Sequence, residues 1–281
     1  MSTPLHWATL VLYLLGTGIY LGFVISQRRG LHRAGRIILW CGLGLHTLAL
    51  GSAWLESGVF PAAGLRQSLD VFSWALMAAG LGLNLRLEVM VLGALIAPLS
   101  ALLLMAAEVL PAPAGHPAPL LKSLWVTVHV ITMLLGYGLL AVTFLGGVLY
   151  LVQDHQLRVK NLGPLFKRLP SLSRLDQLCQ GALLSGFTLM TVGLILGAVY
   201  AQISRGAYWS WDPKEVWALI TWLMYAALLH TRLVSGWRGR RGAWLATAAF
   251  ACLLFTFLVV GIWWPSYHAF HEFTRLGGPT S

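Results

Sequence analysis

The stretch Gly206-Ala-Tyr-Trp-Ser-Trp-Asp-Pro-Lys-Glu215 gathers Tyr208, Trp209 and Trp211 within four residues, and Trp217 and Trp222 follow closely. Flat aromatic side chains at this density build a wall that suits a planar, hydrophobic ligand. The competing reading is an ordinary interfacial belt of Trp and Tyr, which scatters its rings along a membrane surface instead of bunching them. The next four residues also have a local reading. Asp212 serves as N-cap, Pro213 takes the first helical position, and Glu215, three residues on from the cap, closes a capping box. A helix start held in this way presents the aromatics ahead of it as a flat platform.

Nine histidines supply the other chemistry. His6, His32, His116 and His155 fall at termini or in connections, where an exposed imidazole is the default. His129 lies about six residues into an apolar run, roughly 9 Å below its end at 1.5 Å per residue. His268 lies five residues past the last apolar run. Both reach the level of the Trp209 and Trp211 shelf, and imidazoles are the usual axial ligands of haem iron, so two histidines and an aromatic wall make a haem cradle. His271 has spacing that lets it replace His268. The alternative stays open that His129 only bonds a neighbouring helix and His268 only meets water. His230, about sixteen residues or 24 Å along its helix, and His46, about ten residues or 15 Å up another, differ in depth by 10 Å or more. They imply a second site, a ligand from another subunit, or structural roles.

These side chains must be positioned by membrane helices. The chain has 281 residues, 58% of them apolar and 10% charged, with a mean hydropathy of +0.74. That composition excludes disorder, a secreted disulfide scaffold and a soluble enzyme fold. Apolar runs of spanning length occur near 7–26, 36–55, 68–85, 87–108, 123–152, 181–203, 214–234 and 241–263. The expected fold is therefore all-α, a single polytopic domain over 1–281 with about eight transmembrane helices. Fourteen of the nineteen Lys and Arg lie in 27–36, 86, 153–180 and 231–242. An even number of spans with that asymmetry places both termini and the loop at 204–217 outside the cytoplasm, and the stretch 153–180 inside as an amphipathic segment. The net charge of +10 thus sets orientation and predicts no nucleic acid as partner. Four prolines between Val109 and Lys122 make that link an extended strap. Cys41, Cys179 and Cys252 stand singly, with no C-x-x-C, so thiol chemistry must come from a partner.

The string Trp209-Ser-Trp-Asp-Pro-Lys-Glu-Val-Trp-Ala-Leu-Ile-Thr-Trp222, running on to Leu229-His-Thr-Arg232, resembles the tryptophan-rich haem-handling proteins of cytochrome c maturation. Within them the chain is similar to the CcsA (ResC) family of the System II pathway, also through Ser123-Leu-Trp-Val-Thr-Val-His-Val130 and the segment ending in His268. Eight spans instead of six favour that family over the related CcmC type. The chain departs from the family at Arg205, where a Trp usually precedes the glycine. It departs again at Gly64-Leu-Arg-Gln-Ser-Leu69, which lacks the usual Tyr and Glu, and at Ala269-Phe270 after His268.

The resemblance implies haem b as cofactor, His129 and His268 as its external axial ligands, and a WWD domain that holds the porphyrin with Tyr208, Trp209, Trp211, Asp212 and Trp217. It implies His230 as an intramembrane ligand on the outward route, with His46 as a candidate companion. It also implies a cytochrome c haem lyase component that presents haem to a C-x-x-C-H apocytochrome c. The implied partners are a CcsB (ResB)-like protein and a thiol-reducing thioredoxin-like protein, and the implied place is the bacterial plasma membrane, or the thylakoid membrane in plastid relatives. Two other readings remain: a haem carrier without ligase activity, and a haem-free scaffold or transporter.

Overall fold

The computed structural model describes residues 4–62, 64–87, 89–111, 122–160 and 163–264. Among them there is no strand. The helices are α1 (Pro4–Ser26), α2 (Arg29–Ser57), α3 (Leu65–Leu87), α4 (Gly93–Val109), α5 (Leu124–Arg158), the short α6 (Pro164–Arg168), α7 (Leu172–Arg205), α8 (Pro213–Leu233) and α9 (Arg240–Leu254). A π-helical turn, Phe255–Val260, and a last turn, Gly261–Trp263, prolong α9. Among the described residues, eight helical segments are long and apolar enough to cross a membrane, as the hydropathy pattern predicts.

Local chemistry sets the ends. Gly58 stops α2 and Gly206 stops α7, each with a positive φ, 70° and 75°, and each returning its N–H to the carbonyl four residues back. A left-handed cap of this kind is open to glycine at little cost. Asp212 starts α8 by accepting from the Lys214 N–H at 2.8 Å, with Pro213 at the first helical position.

The core is a slab of α3 and α5 flanked by α7 and α9 on one side and by the α1, α2 and α4 group on the other. α5 and α7 run antiparallel at very close range. A Cβ on Gly136 would sit 3.0 Å from the Met190 backbone nitrogen, and one on Gly186 would sit 3.0 Å from Leu140. Apolar side chains gain nothing by leaving lipid for each other, so helices in a bilayer associate through close packing and interhelical hydrogen bonds, and small residues permit both.

Polar clasps tie the two ends of the bundle. At the end that carries the starts of α1, α3 and α5, Arg66 binds Glu108 and the Leu110 carbonyl, both at 3.0 Å, and so joins α3 to the close of α4. At the opposite end, Arg232 reaches Asp176 at 2.7 Å and Gln180 at 2.8 Å, joining α8 to α7. In the stretch 153–180, expected as a surface segment, helix occupies most of the length. α5 runs on to Arg158, where Arg158 pairs with Asp154, and α7 starts at Leu172 under a Ser171 cap. Hydropathy marks where hydrocarbon ends, whereas the helical hydrogen-bond ladder continues as long as caps and charge pairs support it.

Candidate functional site

His129 sits five residues into α5, half-buried against α7. Its Nδ1 lies 2.7 Å from the carbonyl oxygen of Gly193. A carbonyl only accepts, so Nδ1 carries the hydrogen and the lone pair resides on Nε2. Metal-bound histidines are commonly oriented in this way, with the second ring nitrogen donating to a carbonyl that fixes tautomer and ring angle. The fit depends on two glycines one turn apart. A Cβ on Gly197 would lie 2.7 Å from His129 Cε1 and 3.0 Å from Nδ1, and one on Gly193 would strike Met133. Spacing alone did not single out either glycine, although a small residue every fourth position, Gly193 and Gly197, is the available signal.

The Trp-rich loop hangs from the end of α7, about 12 Å of helix beyond Gly197. Trp209 and Trp211 meet edge to face, with ring centroids 5.7 Å apart and planes at 85°. They form an angled corner where a flat shelf was expected. Trp211 is bent into a left-handed conformation, φ 59°, which projects its indole outward at 78% exposure. Tyr208 is likewise exposed, and Asp212 is buried beneath the loop.

The box at the start of α8 is wider than the local pattern implies. Asp212 caps Lys214, but Glu215 reaches past the cap to accept the Ser210 N–H at 2.8 Å, the Ser210 hydroxyl and the Arg205 guanidinium at 2.9 Å. Arg205 therefore anchors the loop from its other side. Below it, Trp217 packs on Phe255 at 4.5 Å. The π-helical turn brings Thr256 Oγ1 within 2.8 Å of Thr221 Oγ1 and lets it donate to the Trp217 carbonyl at 3.2 Å. An extra residue in one helical turn re-aims side chains in this manner and is frequent at functional sites. Trp222 donates to Thr191 on α7.

His230 lies three residues before the end of α8, exposed on the outer surface of the bundle. His46 is in a different place and in a different state. It is fully buried at the opposite half of the membrane thickness, with Nδ1 3.1 Å from the Tyr13 hydroxyl and Nε2 2.8 Å from Asp70 Oδ1. The other oxygen of Asp70 takes His6 Nε2 at 2.9 Å. His6 thus belongs to α1 and to a buried network, whereas its position near the N-terminus suggested an exposed imidazole. An acid inside an apolar helix, Asp70, was the signal that announces such a network. His46 and His230 do not come together. His268 and His271 lie outside the described residues, as does His116.

One imidazole held by a backbone carbonyl, with a corner of indoles at the same end of the bundle, fits the donor set expected for haem iron and a porphyrin edge. A family model described as cytochrome C assembly protein matches residues 62–268. The cytochrome c biogenesis protein CcsA of Guillardia theta is 37% identical over 243 residues, 80% of this chain and 81% of that one. The chain belongs to the CcsA family. The CcsA protein of Synechococcus elongatus is 35% identical over 269 residues, 80% of this chain and 83% of that one. Another Synechococcus CcsA is 33% identical across 97% of both chains. Among solved structures, the cytochrome c haem lyase CcmF superposes with a TM-score of 0.68 at 21% identity, covering 97% of this chain and 49% of that one, which shows a shared fold. Membership in the CcsA family gives the chain a role in cytochrome c biogenesis. The matched stretch contains His129, the Trp-rich loop and His230, whereas α1 and α2 lie ahead of it.

Proposed function

We propose that this chain binds haem as substrate at the Trp-loop end of the bundle, on the non-cytoplasmic side, and presents it for covalent attachment to a C-x-x-C-H apocytochrome. The observation that carries this reading is the 2.7 Å bond from His129 Nδ1 to the Gly193 carbonyl, the orientation commonly seen for a metal-bound histidine, and it makes Nε2 the proposed axial donor. His268 is the proposed second ligand. Tyr208, Trp209, Trp211 and Trp217 form the apolar wall, and Asp212 holds the loop on α8. The low content of Lys and Arg at this end supports its placement outside the cytoplasm.

Attachment adds each cysteine S–H across a haem vinyl group, sulfur to one carbon and hydrogen to the other, so no electrons are gained or lost overall. The protein's part is to orient. Holding haem and peptide together replaces an encounter with a positioned contact, and two imidazoles with an indole wall tune and shield the iron. No nucleophile of this chain is needed, because the thiols belong to the apocytochrome and are kept reduced by a thioredoxin-like partner. His230, exposed on α8, is the proposed ligand at an earlier, intramembrane stage, completed by a histidine of a CcsB-like partner. His46, buried at the opposite half of the bundle between Tyr13 and Asp70, takes no part in that stage.

The test is a spectrum of the full chain purified in detergent from haem-replete cells, alone and with its CcsB-like partner. A Soret band typical of bis-His haem, abolished or shifted by His129→Ala or His268→Ala, supports the reading, and a colourless protein in both preparations ends it. Coexpression with an apocytochrome separates a ligase from a carrier: covalent haem that appears only with this chain and its partner marks a ligase. The buried His6, Asp70 and His46 network favours a second reading, a proton-relaying membrane scaffold, which the colourless outcome would leave standing.

A further inference from the structure

The end of the bundle opposite the Trp-rich loop holds a cavity of about 180 Å³ lined by Arg29, His32, Arg33, Arg36, Asn84 and Met90. Arg29, Arg33 and Arg36 follow one another at four and three residues along α2, so they share one helical face. Among the described residues no carboxylate pairs with any of them. Glu88, the acid nearest in sequence to Asn84, lies outside the described residues. α2 itself begins without a side-chain cap, because Arg28 stands at the N-cap. Positive charge and a concavity meet along the first two turns of α2, a favourable setting for an anion.

A cluster of arginines near a membrane surface ordinarily does no more than fix orientation. Here two further observations require an occupant. Asn84 is 6% exposed, lines the cavity, and its Oδ1 has no hydrogen-bond partner. His32, wedged between the rings of Tyr20 and Phe23 at 5.7 and 5.4 Å, keeps a buried Nδ1 that is also unpaired. Orphaned buried polar atoms are uncommon and call for a ligand or water. An unpartnered acceptor that shares a cavity with three arginines is matched by a group that carries both an anionic oxygen and a donor such as a hydroxyl.

We propose that this cavity is a binding site for the head group of an anionic, hydroxyl-bearing phospholipid, of the phosphatidylglycerol class. The phosphodiester meets Arg29, Arg33 and Arg36, and a glycerol hydroxyl donates to Asn84 Oδ1. The volume suits a head group and falls below the about 300–1,000 Å³ of pockets that enclose a whole drug-sized ligand. The acyl chains have a path, because α2 continues from the cavity with Ile37 and Trp40 exposed on the bundle surface. Basic pockets between membrane helices hold lipid phosphates in this way.

Native mass spectrometry of the full-length chain in detergent tests the site, with phosphatidylglycerol, phosphatidic acid, phosphatidylcholine and inorganic phosphate as probes. Phosphatidylglycerol should be retained at least ten-fold better than phosphatidylcholine. Arg33→Gln should weaken it about five-fold, and the Arg33→Gln, Arg36→Gln pair about twenty-fold. Asn84→Leu should erase the preference for phosphatidylglycerol over phosphatidic acid while both remain bound. Equal retention of phosphatidylglycerol and phosphatidylcholine overturns the proposal. So does displacement of the lipid by millimolar phosphate, which would mark a free-anion site, or displacement by haem, which would mark a propionate site. An Asn84→Leu chain that fails to fold leaves the arginine series to decide.

Discussion

Arg205 closes α7 and Glu215 opens α8, and their 2.9 Å ion pair spans the Trp-rich loop like a clasp. Glu215 also takes both the N–H and the hydroxyl of Ser210, so one carboxylate organises the loop from its two flanks. Glu215→Ala should therefore cost about 1–3 kcal/mol and loosen the loop more than the bundle. Hydrogen exchange reads this directly. Amides of 206–212 should exchange at least ten-fold faster while those of α5 and α7 are unchanged, and protection that stays equal in the loop would refute the clasp.

Gly197 gives the His129 ring its place. Gly197→Ala forces a methyl group to within 2.7 Å of Cε1, and either the ring turns or α7 shifts, at a cost of about 1–3 kcal/mol. The bond to Gly193 is lost in the first case. We expect haem occupancy in the purified chain to fall at least ten-fold with expression preserved. Gly44→Ala, where nothing lies within 4 Å, should be silent and serves as the control. Equal Soret absorbance in the two variants would show that His129 needs no such fit.

Asp70 accepts from His6 and His46 with its two oxygens, and all three are buried. Asp70→Leu strips both imidazoles of their acceptor and should destabilise the α1, α2 and α3 group by about 3–5 kcal/mol. Asp70→Asn keeps an acceptor and should cost less. Thermal unfolding in detergent measures the order. If Asp70→Leu melts at the same temperature as the parent chain, the network contributes nothing to stability and must be held for another reason.

His230 is exposed on α8, so its removal should leave stability within about 0.5 kcal/mol. His230→Ala should nevertheless lower the haem retained by the complex with a CcsB-like partner, and leave the haem bound through His129 spectrally intact. Loss of the His129 spectrum in that variant would mean that the two positions are not separate stages.

The spans, the capped start of α8 and the prominence of His129 were legible because each depends on composition or on spacing within one segment. Depth along a helix follows from residue number at a fixed rise, so His129 and His230 could be assigned to different levels. What was not legible was which partner each side chain meets. His6 and His46 stand forty residues apart and Asp70 a further twenty-four, and only the packing of three helices closes that distance. Glu215 illustrates the same limit at short range. Its spacing from Asp212 fits a capping box, yet the chain turns back through Trp211 at positive φ and hands Glu215 to Ser210 and Arg205 instead.

The amino-acid sequence alone determined a membrane bundle of eight spans and the end of it where aromatic and imidazole chemistry gathers, because burial in hydrocarbon and helical rise act on local composition. The tertiary structure decided which nitrogen of His129 carries the lone pair, how the two indoles are angled, and that three arginines share a cavity with an unpartnered amide oxygen. Those are matters of contact between helices, where a missing methyl group or an unpaired carbonyl on one element sets the orientation of a side chain on another.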